Sequence, residues 1–416
     1  MQIFLVIAHL VLLGWITSKV YARYGDGLLK PTFFPALLFK LGAGVLLGVI
    51  FRYYYGTGDT WALFLEATTF AEQGYAAPLE FLQALFLNDY APALKASLVY
   101  IDQPRALLAA KVISLFNLIT YNHYWLVSLY LSLFSFISFW LLARKLVDYF
   151  PKAKLAIAAA FLFFPSVIFW SSGVSKESLV MGGICTSLAL LLPLLVKNER
   201  LKPWHWILVV LGLLMVTFIK YYYAAVLIPM LIVVLIIGGK QWRLSKKVLT
   251  AFGLLIILLV AASWLHPNLH LDRLLFVVVA NGQEMIANTS GTDYIVYHRL
   301  TPEFSSVAMN FPLAVFSGLF RPTLMETKTI FQLWTGLENA FLLVFALAQL
   351  TRWKTIDHTI LLWAAIIYVL LLAGFLALAA PNFGTLVRYK IGFWPFLVFL
   401  ILAGNPWLKI RSRFAQ

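Results

Sequence analysis

Cysteine occurs once in 416 residues, at Cys185, so no disulfide can close within the chain and dithiol redox chemistry has no basis. Charge is scarce as well. Asp, Glu, Lys and Arg make up 12% of the residues, roughly half the share usual in a soluble domain. Hydrophobic residues reach 62% and the mean hydropathy is +0.87, which excludes a soluble fold and leaves a polytopic membrane protein. His123, His266, His270 and His298 are scattered, with no HExxH and no paired spacing for zinc. No cofactor is therefore expected, and a divalent metal has no ligand pattern behind it. No Walker loop and no GxSxG elbow is present, so ATP hydrolysis and serine esterase chemistry lack their sequence handles. Tandem repeats and low-complexity tracts are missing too. The first apolar run has no positive n-region and no cleavage signal, and reads as a retained span with the N-terminus outside.

Acids are the minority charge, 17 against 32 Lys and Arg. A sequence pI near 9.7 would suit nucleic acid, but the basic residues are dispersed between apolar runs and form no patch, so no nucleic-acid partner is expected. They sort by topology instead. Nineteen fall in six loops: Lys19, Arg23, Lys30; Arg144, Lys145, Lys152, Lys154; Lys197, Arg200, Lys202; Lys240, Arg243, Lys246, Lys247; Arg352, Lys354; and Lys409, Arg411, Arg413. These loops hold four acids, Asp26, Asp148, Glu199 and Asp357, so the whole net charge of +15 lies on what the positive-inside rule makes the cytoplasmic face. That places the C-terminus in the cytoplasm, and a functional site is expected on the opposite face. Lys40 stands apart, inside an apolar run.

Runs long enough to cross about 30 Å of hydrocarbon occur near residues 2–18, 33–51, 124–142, 155–171, 178–196, 204–219, 222–239, 249–265, 331–350, 359–380 and 391–405. The expected fold is an all-α bundle of about eleven spans forming a single transmembrane domain over residues 1–416. Residues 106–121 would spoil the charge sorting as a span. With Lys111 and Asn117 among them, they read as an interfacial or re-entrant helix. Two longer segments, 52–123 and 266–330, are expected as extracytoplasmic loops carrying amphipathic helices.

Several residues are candidates for chemistry. Asp59, in YYYGTGDTWALF, follows two glycines that let the chain turn; it is either a plain helix N-cap or a general base at the water–membrane boundary. In FPSVIFWSSGVSKESL, Pro165 ends or kinks one helix, and Lys176 and Glu177 fall at the expected outer mouth of a hairpin. They either complement the helix start and snorkel, or help hold a lipid-linked phosphate. Lys220, with Tyr221 to Tyr223, sits in an outer turn almost without a loop, where the tyrosines suit an interface belt and the lysine could reach a phosphate. Arg321 and Glu326 are either an ion pair or substrate contacts, while Glu338, two turns into a span, calls for a partner. Arg388 and Lys390, in PNFGTLVRYKIGFWP, are outside cations that invite an anion, Arg388 through its bidentate fork.

Taken in order, the GDT loop before an aromatic helix, the FPSVIFWSSGVSKESL hairpin, the LFRPTLME and GLENA segments and the terminal GTLVRYK resemble bacterial polytopic glycosyltransferases of the GT-C superfamily. The resemblance runs over most of the chain through short motifs. It implies an inverting enzyme of the bacterial cytoplasmic (inner) membrane, serving cell-envelope polysaccharide biosynthesis. Such an enzyme moves a sugar from a polyprenyl-phosphate or pyrophosphate donor to a glycan or lipid acceptor outside. It also implies that Asp59 is the base. Family members often carry a second acid beside it; here Gly58 and Thr60 flank Asp59, and Glu66 or Asp102 would have to substitute. Lys176, Lys220, Arg388, Lys390 and Arg321 would stabilise the phosphate. A polymerase or ligase for lipid-linked oligosaccharides uses the same parts. A transporter of a lipid-linked sugar would instead place polar groups on broken helices near the midplane, and a structural partner of an envelope assembly would tolerate Asp59→Asn.

Overall fold

The computed structural model describes residues 2–56, 58–238, 240, 242–265, 270–289, 291, 293–351 and 359–407. His266, Arg352, Lys354, Asp357, Lys409, Arg411 and Arg413 lie outside the described residues. Among those described there is no β-strand, only an isolated antiparallel bridge between Tyr294 and Asn382. The chain divides into two compact units, Met1–Leu192 with Leu201–Tyr221, and Pro193–Arg200 with Tyr222–Gln416. Each is all-helical.

The first unit runs through α1 (Gln2–Tyr24), α2 (Phe33–Tyr53), α3 (Asp59–Ala76), α4 (Pro78–Phe86), α5 (Pro92–Ser97), α6 (Pro104–Thr120), α7 (Tyr124–Tyr149), α8 (Lys154–Ala158), α9 (Pro165–Trp170), α10 (Lys176–Lys197) and α11 (Pro203–Ile219). Proline opens α4, α5, α6, α9 and α11, where its missing N–H costs nothing and its fixed φ suits the first turn. α2 and α7 pack antiparallel: Phe33 meets Phe136 and Trp140 at one end, and Gly48 meets Tyr124 at the other. At the Phe33 end, Arg144 pairs with Asp26 at 2.6 Å and the Trp140 indole donates to the Tyr24 carbonyl. Lys145 and Lys202 lie within electrostatic range of His205. Three of the six basic loops thus share one end of this unit. Asp59 follows the other end of α2.

Segment 52–123 builds a small core of its own from Phe70, Phe81, Ala84, Leu94, Leu98 and Leu107. α3 and α6 pack along each other. The buried Glu66 carboxylate accepts from the amides of Val99 and Tyr100 at 3.0 and 2.9 Å, pinning the turn before α6. Lys111 donates to the carbonyls of Ala84 and Leu85 at the end of α4 and to the Asn88 amide oxygen. Asn117 reaches Thr68. The polar residues of α6 therefore fasten it to α3 and α4.

The second unit runs through α12 (Tyr221–Ile237), α13 (Leu244–Leu265), α14 (Leu271–Ala287), α15 (Phe304–Phe320), α16 (Ile330–Leu350), α17 (Ile360–Ala379), α18 (Phe383–Tyr389) and α19 (Trp394–Leu402). α15 lies in segment 266–330 and packs along α17, the Gly318 position sitting against the Ala373 carbonyl. Among the described residues, six helices are long and apolar enough to cross a membrane: α1, α2 with the turn before it, α7, α10, α16 and α17. The pair α18 and α19 passes together but is bent by 71°. The chain is an integral membrane protein by this measure. α11, α12 and α15 are apolar but only 17 residues long. The run expected to span at 155–171 is broken: a π-turn over Ala159–Phe163 and extended Phe164 precede Pro165, so α8 and α9 are separate short pieces.

Candidate functional site

Gly56 has φ +73°, and a Cβ on Gly58 would strike the Phe51 ring, so the turn between α2 and α3 closes tightly. It leaves Asp59 exposed as the first residue of α3, with Gly58 in the N-cap position. The next two residues look inward. Thr60 shares a 2.7 Å hydrogen bond with the Tyr124 hydroxyl, and the Trp61 indole donates to the Gly48 carbonyl at 3.0 Å. Trp61 stacks on Tyr124 with ring centres 3.7 Å apart and planes 9° from parallel. An exposed carboxylate thus follows from a well-fixed aromatic helix start. Glu66 has both oxygens on backbone amides, which makes it a scaffold residue, and Asp102 is exposed.

The Ser171–Ser175 turn packs against the middle of α2 and α7. Gly44 and Gly173 approach so closely that a Cβ on Gly173 would lie 3.0 Å from the Gly44 carbonyl. Ser128 donates to that same carbonyl at 3.0 Å, and the Gly173 amide donates to the Ser132 hydroxyl at 2.9 Å. Gly44 lies nine residues inside the end of α2, and Ser132 eight residues inside the start of α7. At 1.5 Å per residue the turn therefore sits about 12–14 Å along α2 and α7 from those ends. Two glycines with no side chain to separate them allow this depth. Buried Lys40 donates to the Ser171 hydroxyl at 2.5 Å, stands 4.4 Å from the centre of the Phe139 ring and lies within electrostatic range of Cys185.

Glu177, in the first turn of α10, and Lys220, at the C-cap of α11, are both buried and pair at 2.9 Å. Each occupies the helix end whose dipole favours its charge. Lys176 is half-buried beside them in sequence. Tyr221 is partly exposed, with the Arg105 guanidinium 5.2 Å from its ring centre.

In the second unit the Arg321 guanidinium grips Glu326, with Nε at 2.8 and 3.1 Å from the two carboxylate oxygens. Glu326 also accepts from the Thr323 amide and hydroxyl at 2.8 and 2.9 Å. Burial pushes the Glu326 carboxyl up, but Arg321 and Thr323 together outweigh it and hold its pKa below the usual glutamate value. Lys390, fully buried at the bend between α18 and α19, donates to the carbonyls of Arg321 and Leu319 at 2.7 and 3.4 Å and to Asn339 at 3.3 Å. Glu338 is buried, accepts from the Trp334 indole at 3.2 Å and lies within electrostatic range of Lys390. Arg388 is half-buried, its guanidinium 5.5 Å from the Tyr389 ring centre.

Two groupings of candidates result: Asp59, Lys176, Glu177, Lys220 and Tyr221 in the first unit, and Arg321, Glu326, Arg388 and Lys390 in the second. Among the described residues no three His, Cys, Asp or Glu side chains gather as metal ligands. The role of Lys40 at the turn, and the buried serine face of α7 at Ser128, Ser132, Ser135 and Ser138, were not anticipated as site features. Their signal was present, as one lysine in an apolar run and serines spaced four, three and three apart. No family model matches the chain, and neither a curated protein nor a solved structure does.

Proposed function

We propose that the protein is an inverting glycosyltransferase of the GT-C type in the bacterial inner membrane. It takes a sugar from a polyprenyl-phosphate or pyrophosphate donor and passes it to a glycan or lipid acceptor on the extracytoplasmic side. The observation that carries the reading is Asp59, an exposed carboxylate at a fixed helix start, at the end of its unit opposite the Asp26–Arg144 pair. In the reaction, the acceptor hydroxyl attacks the anomeric carbon, its proton passes to Asp59, and the bond from that carbon to the phosphate oxygen breaks. Negative charge builds on the departing phosphate and needs cations. Half-buried Lys176, in the same unit as Asp59, is the candidate there. Lys220 and Lys390 hold Glu177 and backbone carbonyls, and in this reading they keep the scaffold in place.

The test is transfer by the full-length protein in nanodiscs, with donor lipids from a strain deleted for it. Asp59→Asn should lower turnover by about 10²–10⁴-fold, the usual worth of a general base, with insertion and purification unchanged. Lys176→Ala should also lower transfer strongly. Retained turnover in the Asp59→Asn variant sinks the base assignment.

A second reading, transport of a lipid-linked sugar, is favoured by one specific observation. Each unit contains a helix break with a buried lysine at it, Lys40 at the Ser171 turn and Lys390 at the 71° bend. Breaks of this kind line substrate paths in transporters. Flux of the donor lipid across proteoliposomes that survives Asp59→Asn would favour transport over transfer.

A further inference from the structure

Arg52 is the penultimate residue of α2, at the boundary of a candidate span, next to three exposed tyrosines, Tyr53, Tyr54 and Tyr55. Aromatic residues so placed mark the headgroup level. The Arg52 guanidinium carbon lies 4.6 Å from the Trp61 ring centre and 5.8 Å from that of Tyr53. Trp61 is itself fixed, by its indole bond to Gly48 and by stacking on Tyr124, which Thr60 holds through the hydroxyl bond. Gly48 has to be glycine here, since a Cβ would lie 2.6 Å from the Tyr124 ring. Among the described residues the guanidinium makes no ion pair and no hydrogen bond. A stacked arginine keeps its in-plane N–H donors available, and their fork matches two oxygens of a phosphate.

We propose that Arg52, held in place by the Trp61–Tyr124 stack, is a binding residue for a phosphate group presented at the membrane surface. The stack orders a long side chain in advance, so less freedom is lost when the anion arrives. A snorkelling arginine would need neither the fixed indole nor the glycine beneath it. The assignment does not depend on sugar transfer, because it concerns anion capture alone.

The test uses the full-length protein in phosphatidylcholine nanodiscs and three probes: dodecyl phosphate, phosphatidylglycerol and inorganic phosphate, with retention read by native mass spectrometry or equilibrium binding. Arg52→Gln should weaken at least one probe by tenfold or more. Arg52→Lys should fall in between, since a point charge replaces the fork. Trp61→Leu, which leaves the guanidinium untouched, should weaken the same probe severalfold. Arg23→Ala, another exposed arginine beside an aromatic ring, should leave it unchanged. Dependence on Arg52 with dodecyl phosphate or phosphatidylglycerol assigns a lipid-borne phosphate; dependence with inorganic phosphate alone assigns a soluble one. Binding of all three probes within twofold of wild type in folded Arg52→Gln, or an equal loss in Arg23→Ala, overturns the proposal.

Discussion

Removing one member of the Glu177–Lys220 pair should destabilise the protein far more than removing both. The charges are 2.9 Å apart and almost fully shielded from solvent. At an effective dielectric constant near 20 their attraction is about 6 kcal/mol, which roughly offsets the cost of taking both out of water. Glu177→Gln leaves an ammonium buried without that carboxylate, and Lys220→Met leaves the carboxylate without its cation. Each should cost about 3–5 kcal/mol. The double variant Glu177→Leu/Lys220→Met removes both desolvation penalties along with the attraction and should recover most of the loss, giving a coupling energy of about 2 kcal/mol or more. Denaturant unfolding in one fixed detergent, followed by the fluorescence of the 14 tryptophans, measures all four corners of the cycle. Losses that simply add, or single variants that each cost under about 1 kcal/mol as exposed pairs do, would refute the argument that burial governs this pair.

Gly173→Ala should cost at least about 1–2 kcal/mol from its positive φ alone, and more because the new Cβ meets the Gly44 carbonyl. Gly27→Ala, with a similar φ of +81° and open space around it, isolates the backbone part, and thermal melting of both variants gives the difference. Lys390→Met should leave the carbonyls of Leu319 and Arg321 short of a donor, at about 1–3 kcal/mol, and hydrogen exchange of the amides of Arg321 and Thr323 to Glu326 should speed up. Glu326 has its folded pKa below the ordinary 4.5, so its stabilising contribution is fully present above that value and is lost as the pH falls through the lower folded one. Acid unfolding of Glu326→Gln should lack that part of the slope.

Much of the scaffold can be read directly from the chain. Hydropathy marks α1, α2, α7, α10, α16 and α17, because a long apolar run reports its own burial without reference to any other segment. The basic loops sort as far as the first unit reveals, with Asp26, Arg144, Lys145 and Lys202 gathered at one end. Pro165 announces a break, since a proline's effect on its own helix is local. The depth of that break is not local. It depends on Gly44, more than a hundred residues away, offering no Cβ where Gly173 arrives, and neither glycine's neighbours carry that information.

The same distinction separates the candidate residues by role. An exposed helix-start carboxylate such as Asp59 follows from the two glycines just before it, Gly56 and Gly58, and so the sequence alone can nominate it. Lys220 and Lys390 invite the same nomination as outer cations, yet their ammonium groups meet a buried carboxylate and backbone carbonyls supplied by distant segments. A buried cation must find such acceptors or leave the interior, and which acceptors it finds is decided by packing. Cations that satisfy this demand within the protein brace the two helix-end junctions. Arg52, exposed at the end of α2 and held by ring stacking, is therefore a side chain to which an external anion has much to offer.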